Sequence, residues 1–266
     1  MRFLIFLLIL SNIFIWSEIT KALDQKNEVS FLDVGQGTSV LLAEPKISIL
    51  YDAGPNGLKL TKALDRHLPL IRKKVDILIL SHADQDHYNG AFDLINRFPP
   101  RIVVISPKDS AEAGWQALLQ KIKAKNIAII ALKTGSLIET PGKKLFFLNP
   151  PINQINSLND NQSSIVIKAI EPTSSFLLAG DIDKKTEFDL IKKYNRFLQV
   201  DYLLIPHHGS KYSSGDEFLK TILPRLAVIQ VGKNRYGHPN GETIQRLKNN
   251  QIPFWRTDLQ GELTIR

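Results

Sequence analysis

The hydrophobic pattern of the chain consists of short apolar runs that alternate with longer amphipathic segments. Runs of about four to eight residues rich in Ile, Leu and Val, such as residues 75–80, predict buried strands. Residues 58–68 and 112–125 instead have the apolar spacing of helices that face a core. Strands and helices alternate until residues 149–162, which are rich in Asn, Pro and Ser and predict a surface loop. This order predicts an α/β fold with two halves of similar make-up.

The first 22 residues form a separate segment. Arg2 is a short basic start, residues 3–16 are almost entirely apolar, and Thr20-Lys21-Ala22 has the small residues of a cleavage site. This pattern predicts a secretory signal peptide. Because the apolar run is shorter than the roughly 20 residues of a membrane span, an uncleaved N-terminal anchor is the alternative. The expected location is secreted, periplasmic or on the extracellular surface.

Residues 23–266 are expected to form one domain, because no repeat, low-complexity stretch or flexible linker follows residue 28. The chain has no Cys, which excludes disulfides, a lipoprotein anchor and thiolate chemistry. Its formal net charge of +8 favours a polyanionic partner, such as DNA or an anionic cell-surface polymer. The lysine pairs are spread along the chain, however, which is equally typical of solvated helix and strand ends.

Four potential metal ligands follow the predicted strand 75–80 within six residues, in the hexad His82-Ala83-Asp84-Gln85-Asp86-His87. On an extended loop, residues two apart project to the same side, so His82 and Asp84 can converge on one cation. Asp86 and His87 would suit a second cation nearby. Two metals that share a water form a hydrolytic centre. The alternative is a polar turn that caps a helix starting near Asn89, but a cap has no use for two imidazoles.

Other polar residues follow predicted strands in the same way. Asp52 follows the strand 47–51, and Asp181 follows a strand that ends in Gly180. The pair His207-His208 and the residue His238 follow two later strands, so that five of the six His lie just beyond strand ends. Because parallel strands of a sheet direct their carboxyl ends to the same edge, these residues predict one convergent polar site.

The order and spacing of these segments resemble those of metallo-β-lactamase-fold hydrolases. The resemblance is closer to the soluble C-terminal domain of the ComEC family of DNA-uptake proteins, and it extends over nearly all of residues 29–265. The resemblance implies an αββα four-layer sandwich with a metal site at one edge of the two packed sheets. It rests on the hexad, Phe31-Leu32-Asp33-Val34-Gly35-Gln36-Gly37, Asp52-Ala53-Gly54, residues 161–167, Leu178-Ala179-Gly180-Asp181, Pro206-His207-His208-Gly209-Ser210 and Tyr236-Gly237-His238-Pro239.

The resemblance also implies roles for individual residues. His82 and Asp84 would hold one divalent ion, Asp86 and His87 the other, and Asp181 would bridge both. One of His207 and His208 would complete the second site, with His208 preferred as the ligand and His207 as a proton donor or substrate contact. Zn²⁺ is the first expectation for both ions, and the many carboxylates make Mn²⁺ the alternative. Two further residues would support the ligands from behind, namely Asp52 and Asn161.

The chain departs from the family pattern at three positions. Asp84 stands where general superfamily members have a His, a replacement that the ComEC-like branch shares. Thr38 replaces an Asp of the ComEC-like pattern, and Asn89 replaces a Gly. The segment around Asn161 also has no His where general superfamily members place their third imidazole, so we expect the first ion to be held by few protein ligands. The membrane channel of the ComEC family is not part of this sequence, so only the hydrolase-like part is expected.

The leading functional hypothesis is a phosphodiesterase or nuclease that cleaves DNA through a metal-bound hydroxide. Asp86, His207 and His238 are its candidate catalytic residues. Substrate phosphates would contact Lys211, Lys233 and Arg235, and bases would stack on Tyr88, Tyr212 or Tyr236. One alternative is a hydrolase of a small ester, lactone or phosphocholine-type substrate, and another is a non-catalytic binding or accessory protein. The turn at residues 35–37 lacks the spacing and the Lys of a phosphate-binding loop.

Overall fold

The computed structural model describes residues 2–23, 27–68 and 73–266. The helices are α1 (Arg2–Leu23), α2 (Gly57–His67), α3 (Gln85–Tyr88), α4 (Ala91–Arg97), α5 (Ala113–Ala124), α6 (Lys184–Tyr194), α7 (Asp216–Ile222), α8 (Gly241–Asn249) and α9 (Thr257–Gln260). The strands are β1 (Glu28–Phe31), β2 (Val40–Ala43), β3 (Ser48–Tyr51), β4 (Ile77–Leu80), β5 (Ile102–Ile105), β6 (Ala128–Ala131), β7 (Leu137–Glu139), β8 (Lys144–Asn149), β9 (Val166–Ile170), β10 (Ser175–Leu178), β11 (Tyr202–Leu204), β12 (Leu226–Ile229), β13 (Phe254–Arg256) and β14 (Leu263–Ile265). Short 3₁₀ turns lie at Ile152–Ser157, Asn195–Leu198 and Pro206–Gly209.

The strands form two seven-stranded mixed sheets. The first has the order β14-β1-β2-β3-β4-β5-β6, and the second has the order β13-β12-β11-β10-β9-β8-β7. Strands β3 to β6 are parallel to one another, and so are β10 to β13. The carboxyl ends of each parallel set therefore share one edge of their sheet. Each half of the chain builds most of one sheet, as the alternation of apolar runs predicted.

Three apolar layers hold the sandwich together. Aromatic residues from both sheets, including Phe31, Phe147 and Phe176, are buried between them. A second layer packs α2, α4 and α5 on the outer face of the first sheet, and a third packs α6, α7 and α8 on the second. Burying each large apolar side chain stabilises the fold by about 1.5–3 kcal/mol. This layering confirms the expected αββα four-layer sandwich.

Local structure differs from the sequence prediction around the hexad. Instead of one helix from Asn89, the chain forms the short helix α3 and then, after a turn at Asn89-Gly90, the helix α4. A Cβ on Gly90 would lie 2.1 Å from the carbonyl oxygen of Ala53, so only Gly permits this close approach. Strand β7 and helix α9 were not predicted, because three or four residues carry too little periodicity.

Helix α1 carries exposed apolar side chains from Phe3 to Trp16. No helix in the described ranges combines the length and the apolar character that crossing a membrane requires. The boundary predicted between residues 22 and 23 falls at the end of α1. The signal peptide, its alternative as an anchor and the single domain of residues 23–266 stay predictions.

A buried ion cluster joins the two sheets at the end where β2 and β9 finish. The Lys143 ammonium donates to the Ala43 carbonyl at 3.1 Å and lies 2.9 Å from Glu171 Oε1. The carboxylate of Glu44 is 3.9 Å away and accepts hydrogen bonds from Thr140 and Gly142. Since these charges are shielded from water, removal of one partner leaves the others uncompensated.

We predict that Lys143→Ala lowers the free energy of unfolding by about 3–5 kcal/mol, because it leaves two buried carboxylates without their cation. Urea unfolding monitored by circular dichroism measures the change. The neighbouring Lys144 forms an ion pair with Glu139 in which both side chains are more than half exposed. Lys144→Ala is thus a matched control, expected to cost about 0–1 kcal/mol. Equal losses in both variants would contradict a stabilising role for the cluster.

Candidate metal centre

The candidate site lies where strands of both sheets end at one edge of the sandwich. In the first sheet, Asp52 follows β3 and His82 follows the parallel neighbour β4. In the second sheet, Asp181 follows β10, and the pair His207-His208 follows its parallel neighbour β11. The two sheets deliver these residues to one cleft, because each parallel pair directs its carboxyl ends to that edge.

Asp52 organises the hexad from behind. Its fully buried carboxylate accepts the Ser81 backbone N–H at 2.7 Å, the Ser81 hydroxyl at 2.8 Å and His87 Nδ1–H at 2.7 Å. The Ser81 oxygen in turn accepts His82 Nδ1–H at 2.9 Å. With the Nδ1 atoms used in this way, both imidazoles present Nε2 to the cleft. Asp52 thus contacts the hexad directly, and its role in supporting metal ligands stays a prediction.

The hexad is extended only in its first half. Asp84 occupies the N-cap position of α3, and this helical turn carries Asp86 and His87. Because Asp86 and His87 lie on a helical turn, their side chains point in different directions. His87 points toward Asp181 of the second sheet, with 3.1 Å between Nε2 and Oδ1. Asp86 points toward His208, with 3.1 Å between Oδ2 and Nε2.

Several polar atoms in the cleft are buried without a hydrogen-bond partner. They are His82 Nε2, His87 Nε2, His208 Nε2 and Asp181 Oδ1. Ligand atoms that bind one ion at about 2.0–2.2 Å lie roughly 3.3 Å apart, which is close to the separations found here. Two groups of residues bring one ligand atom each within 4.8 Å of the others, namely His82, His87 and Asp181, and Asp86, His87 and His208. These donors fit a divalent ion; together the five residues form what we call the imidazole–carboxylate cluster.

Electrostatics in the cluster also favour a cation. Burial raises the pKa of the Asp86 carboxyl, but the close contact with His208 and the charge of His87 outweigh burial and lower it to about 2. Burial likewise opposes ionisation of Asp181, yet the charges of His87 and His208 hold its pKa well below the usual range. Both carboxylates are therefore ionised near neutral pH and can bind a metal.

The structure groups the ligands differently from the prediction. His82 Nε2 lies 3.5 Å from Asp84 Oδ2, but the Asp84 side chain is 42% exposed and belongs to neither group. His82 converges instead with His87 and Asp181. His87 belongs to both groups, although a single imidazole nitrogen binds one ion. The predicted division of six ligands between two ions stays a prediction.

The two adjacent imidazoles of the second sheet have different surroundings. His208 is buried, and its Nδ1–H donates to the Gln230 carbonyl at 2.8 Å, which leaves Nε2 directed at Asp86 and Asp181. The His207 side chain is 29% exposed, with Nε2 3.7 Å from Asp181 Oδ2. Burial lowers the pKa of His207. His208 thus directs Nε2 into the cleft, whereas His207 is partly exposed, and the expected choice of His208 as the ligand stays a prediction.

His238 completes the row of imidazoles. Its ring centre is 5.4 Å from that of His207, and its Nδ1 is buried without a partner. Burial, together with the nearby charges of His207 and His208, lowers the pKa of His238 to about 4. The ring is thus neutral near neutral pH and donates through one N–H only.

Two supporting residues were missed by the sequence analysis. The Gln230 side chain donates to the carbonyls of Leu32 and Ser39, which ties the His208 region to the first sheet. Asn234 shapes the loop before His238 through hydrogen bonds to its backbone N–H and carbonyl. Gln230 could have been found as an amide at the end of an apolar run, and Asn234 as an Asn in a loop between two glycines.

The predicted substrate contacts lie mostly on exposed loops. Lys211, Lys233 and Arg235 are exposed, and Tyr212 and Tyr236 are 66% and 73% exposed. Tyr88 is buried instead, where its ring packs edge-on against Trp115 and its hydroxyl donates to Glu112. The expectation that Tyr88 stacks on a base is therefore wrong.

Asn161 connects to the site only through backbone. Its carbonyl accepts the Ser164 N–H at 3.0 Å, and the Ser164 hydroxyl accepts the Asp181 N–H at 3.2 Å. Within the described ranges its side chain forms no hydrogen bond to a candidate ligand. Its supporting role stays a prediction.

We predict that Asp52→Asn lowers metal affinity by about 10- to 100-fold, because the amide N–H₂ of Asn would face one of the donors that the carboxylate oxygen accepts. Titration calorimetry with Zn²⁺ and with Mn²⁺ measures the affinity. Asp258→Asn, which alters an Asp paired with Arg256 outside the cluster, serves as the control. Unchanged affinity in Asp52→Asn would contradict the supporting role.

Comparisons with known proteins agree with this geometry. The model of the metallo-β-lactamase superfamily matches residues 32–233. ComE operon protein 3 of Bacillus subtilis (strain 168) is 30% identical, and the match covers 93% of this chain and 34% of that protein. Competence protein ComA of Neisseria gonorrhoeae is 29% identical over 88% of this chain and 31% of its own length. The chain spans about a third of the length of these curated relatives.

A solved structure shows the same fold at low identity. The metallo-β-lactamase fold protein YhfI from Bacillus subtilis matches with a TM-score of 0.59 and 12% identity, over 90% of this chain and 100% of that chain. Similarity at this level of identity concerns the fold alone. The family match, by contrast, includes the hexad, Asp181 and the His207-His208 pair. The chain therefore belongs to the metallo-β-lactamase superfamily and has the fold of a metal-dependent hydrolase.

Proposed function

We propose that the protein is a metal-dependent phosphodiesterase that acts on DNA. One observation carries the proposal: the imidazole–carboxylate cluster adjoins loops on which Lys211-Tyr212 and Arg235-Tyr236 are exposed. Each pair combines a cation for a phosphate with an aromatic face for a base. Proteins that bind single-stranded nucleic acid combine these two kinds of contact.

The residues of the cluster have distinct parts in the proposed reaction. Divalent ions, Zn²⁺ or alternatively Mn²⁺, would supply Lewis acidity and lower the pKa of a bound water. His82, His87 and Asp181 would bind one ion, and Asp86 and His208 the other. Asp52 orients the His87 ring directly and the His82 ring through Ser81, so that both Nε2 atoms face the cleft.

His207 and His238 lie beside the cluster and face the expected substrate. His207 is the more open of the two, and its Nε2 is 3.7 Å from Asp181. An N–H from either ring would donate a hydrogen bond to a phosphate oxygen and stabilise the charge that develops on the leaving group.

The positive net charge and the similarity to competence proteins support a polyanionic substrate. The net charge of +8 favours the approach of a polyanion, and exposed Lys211, Lys233 and Arg235 are suited to phosphate contacts. The resemblance to the ComEC family and the match to a relative named competence protein ComA support DNA. The apolar residues 3–16 support export as part of the proposal, and fractionation of producing cells would measure it.

The test is hydrolysis of single-stranded DNA, double-stranded DNA and bis(p-nitrophenyl) phosphate with Zn²⁺ or Mn²⁺. We expect chelator-sensitive cleavage that His82→Ala and Asp181→Ala each reduce by about a hundredfold or more, because each removes a metal ligand. Asp258→Ala is the control and should retain wild-type activity. Circular dichroism confirms that the variants fold.

Three outcomes would contradict the proposal. Full activity in either ligand variant would exclude metal-dependent cleavage at this cluster. Turnover of a carboxylic ester or lactone without phosphodiester cleavage would favour a small-molecule hydrolase. Absence of both bound metal and turnover would favour a binding or accessory protein.

A further inference from the structure

The glycine-rich turn at residues 35–37 lies directly against the metal centre. The N–H of Thr38, the next residue, donates to the Asp86 carbonyl at 3.2 Å. A Cβ on Gly37 would lie 2.2 Å from the same oxygen, so the turn could not approach Asp86 with any larger residue. A group bound at this turn would therefore lie next to a candidate metal ligand.

The loop after β12 packs on the other side of the turn. The Gly232 N–H donates to Gln36 Oε1 at 3.3 Å, and a Cβ on Gly232 would lie 2.5 Å from the Gln36 backbone nitrogen. The amide oxygen of Gln36 is thus used, whereas its Nε2 is buried without a partner. A buried amide donor without an acceptor is costly, and a bound anion would satisfy it.

Helix α2 contributes a cation to the same turn. Lys59 is exposed, and its Nζ lies 3.3 Å from the position that a Cβ on Gly35 would occupy. No carboxylate of the described residues forms an ion pair with Lys59. Exposed Lys233 follows Gly232 directly. The turn at residues 35–37 lacks the spacing and the Lys of a phosphate-binding loop, but the fold supplies a Lys from α2.

We propose that Gln36, Lys59 and Lys233 form an anion subsite beside the metal centre. It would bind a phosphate of the polynucleotide that neighbours the phosphate being cleaved. Its side-chain groups are two ammonium ions and an amide N–H, all donors suited to phosphate oxygens. The carboxylate of Asp33 at this turn is already engaged, since it accepts the Gly35 N–H at 3.1 Å.

This inference rests on the proposed function for its substrate and deepens it. A small phosphodiester carries a single phosphate and cannot reach a second anion site. A polynucleotide carries further phosphates on either side of the bond that is cleaved. The subsite therefore selects polymeric over small substrates by adding a contact away from the reacting phosphorus.

The test measures binding rather than turnover. A fluorescein-labelled phosphorothioate DNA of about 12 nucleotides, within the site sizes of single-strand binders, is titrated with the metal-loaded full chain and followed by anisotropy. We expect Lys59→Ala to weaken binding by about tenfold and to reduce the slope of log Kd against log salt by about 0.7. Gln36→Glu keeps the oxygen that accepts Gly232 N–H but replaces the amide donor by an anion, so it should weaken binding at least as much.

Lys62→Ala is the matched control, because Lys62 is also exposed on α2 and forms no ion pair within the described ranges. Its affinity and salt slope should equal those of the wild type. Lys233→Ala gives a third variant in case Gln36→Glu does not fold. Equal affinities in Lys59→Ala, Gln36→Glu and Lys62→Ala would overturn the subsite, as would wild-type protein that does not bind the DNA.

Hydrolysis of unmodified DNA and of bis(p-nitrophenyl) phosphate by the wild type separates this inference from the proposed function. If that hydrolysis is absent while Lys59→Ala and Gln36→Glu still weaken DNA binding, the subsite stands and the phosphodiesterase proposal fails. If hydrolysis occurs and the variants bind DNA like the control, the proposed function stands and the subsite fails.

Discussion

The geometry of the candidate metal centre depends on the hydrogen bonds that the buried carboxylate of Asp52 accepts. It accepts hydrogen bonds from the backbone and side chain of Ser81 and from His87, and through Ser81 it also sets the ring of His82. Asp52 itself adopts a left-handed backbone conformation with φ of 59°. This conformation costs about 1–3 kcal/mol in a residue other than Gly, and the hydrogen bonds around it offset the strain.

The sandwich divides its charged interior between two ends. At one end, Lys143 pairs with Glu44 and Glu171 and joins the two sheets. At the other end, carboxylates and imidazoles of both sheets converge with unpartnered atoms. We expect the first arrangement to stabilise the fold, whereas the atoms of the second fit a cation. The Lys143 ion cluster and the candidate metal centre thus lie at opposite edges of the same two sheets.

Much of the site was predictable because it follows the ends of parallel strands. His82, Asp181 and His208 were located from apolar runs alone, since any such strand must deliver its next residues to the shared edge. The partners across the cleft were not predictable, because they depend on distances between two sheets. The burial of Tyr88 depends similarly on α3, a single helical turn that no periodicity reveals. Gln230 and the proximity of Lys59 to the turn at residues 35–37 also arise only from the packing of distant segments.

The pairing of β14 with β1 has a consequence for the order in which the molecule can assemble. Residues 263–265 are hydrogen-bonded along residues 29–31, so the first sheet joins segments more than 230 positions apart in sequence. Contacts of such long sequence separation form late and slowly during folding. While the chain is being synthesised, the outer edge of β1 has no neighbour, and the seven-stranded sheet closes only after the last strand has been made. Because closure of the sheet waits for residues 263–265, the edge of β1 stays unpaired for longer, and an unpaired strand edge can be captured by a chaperone.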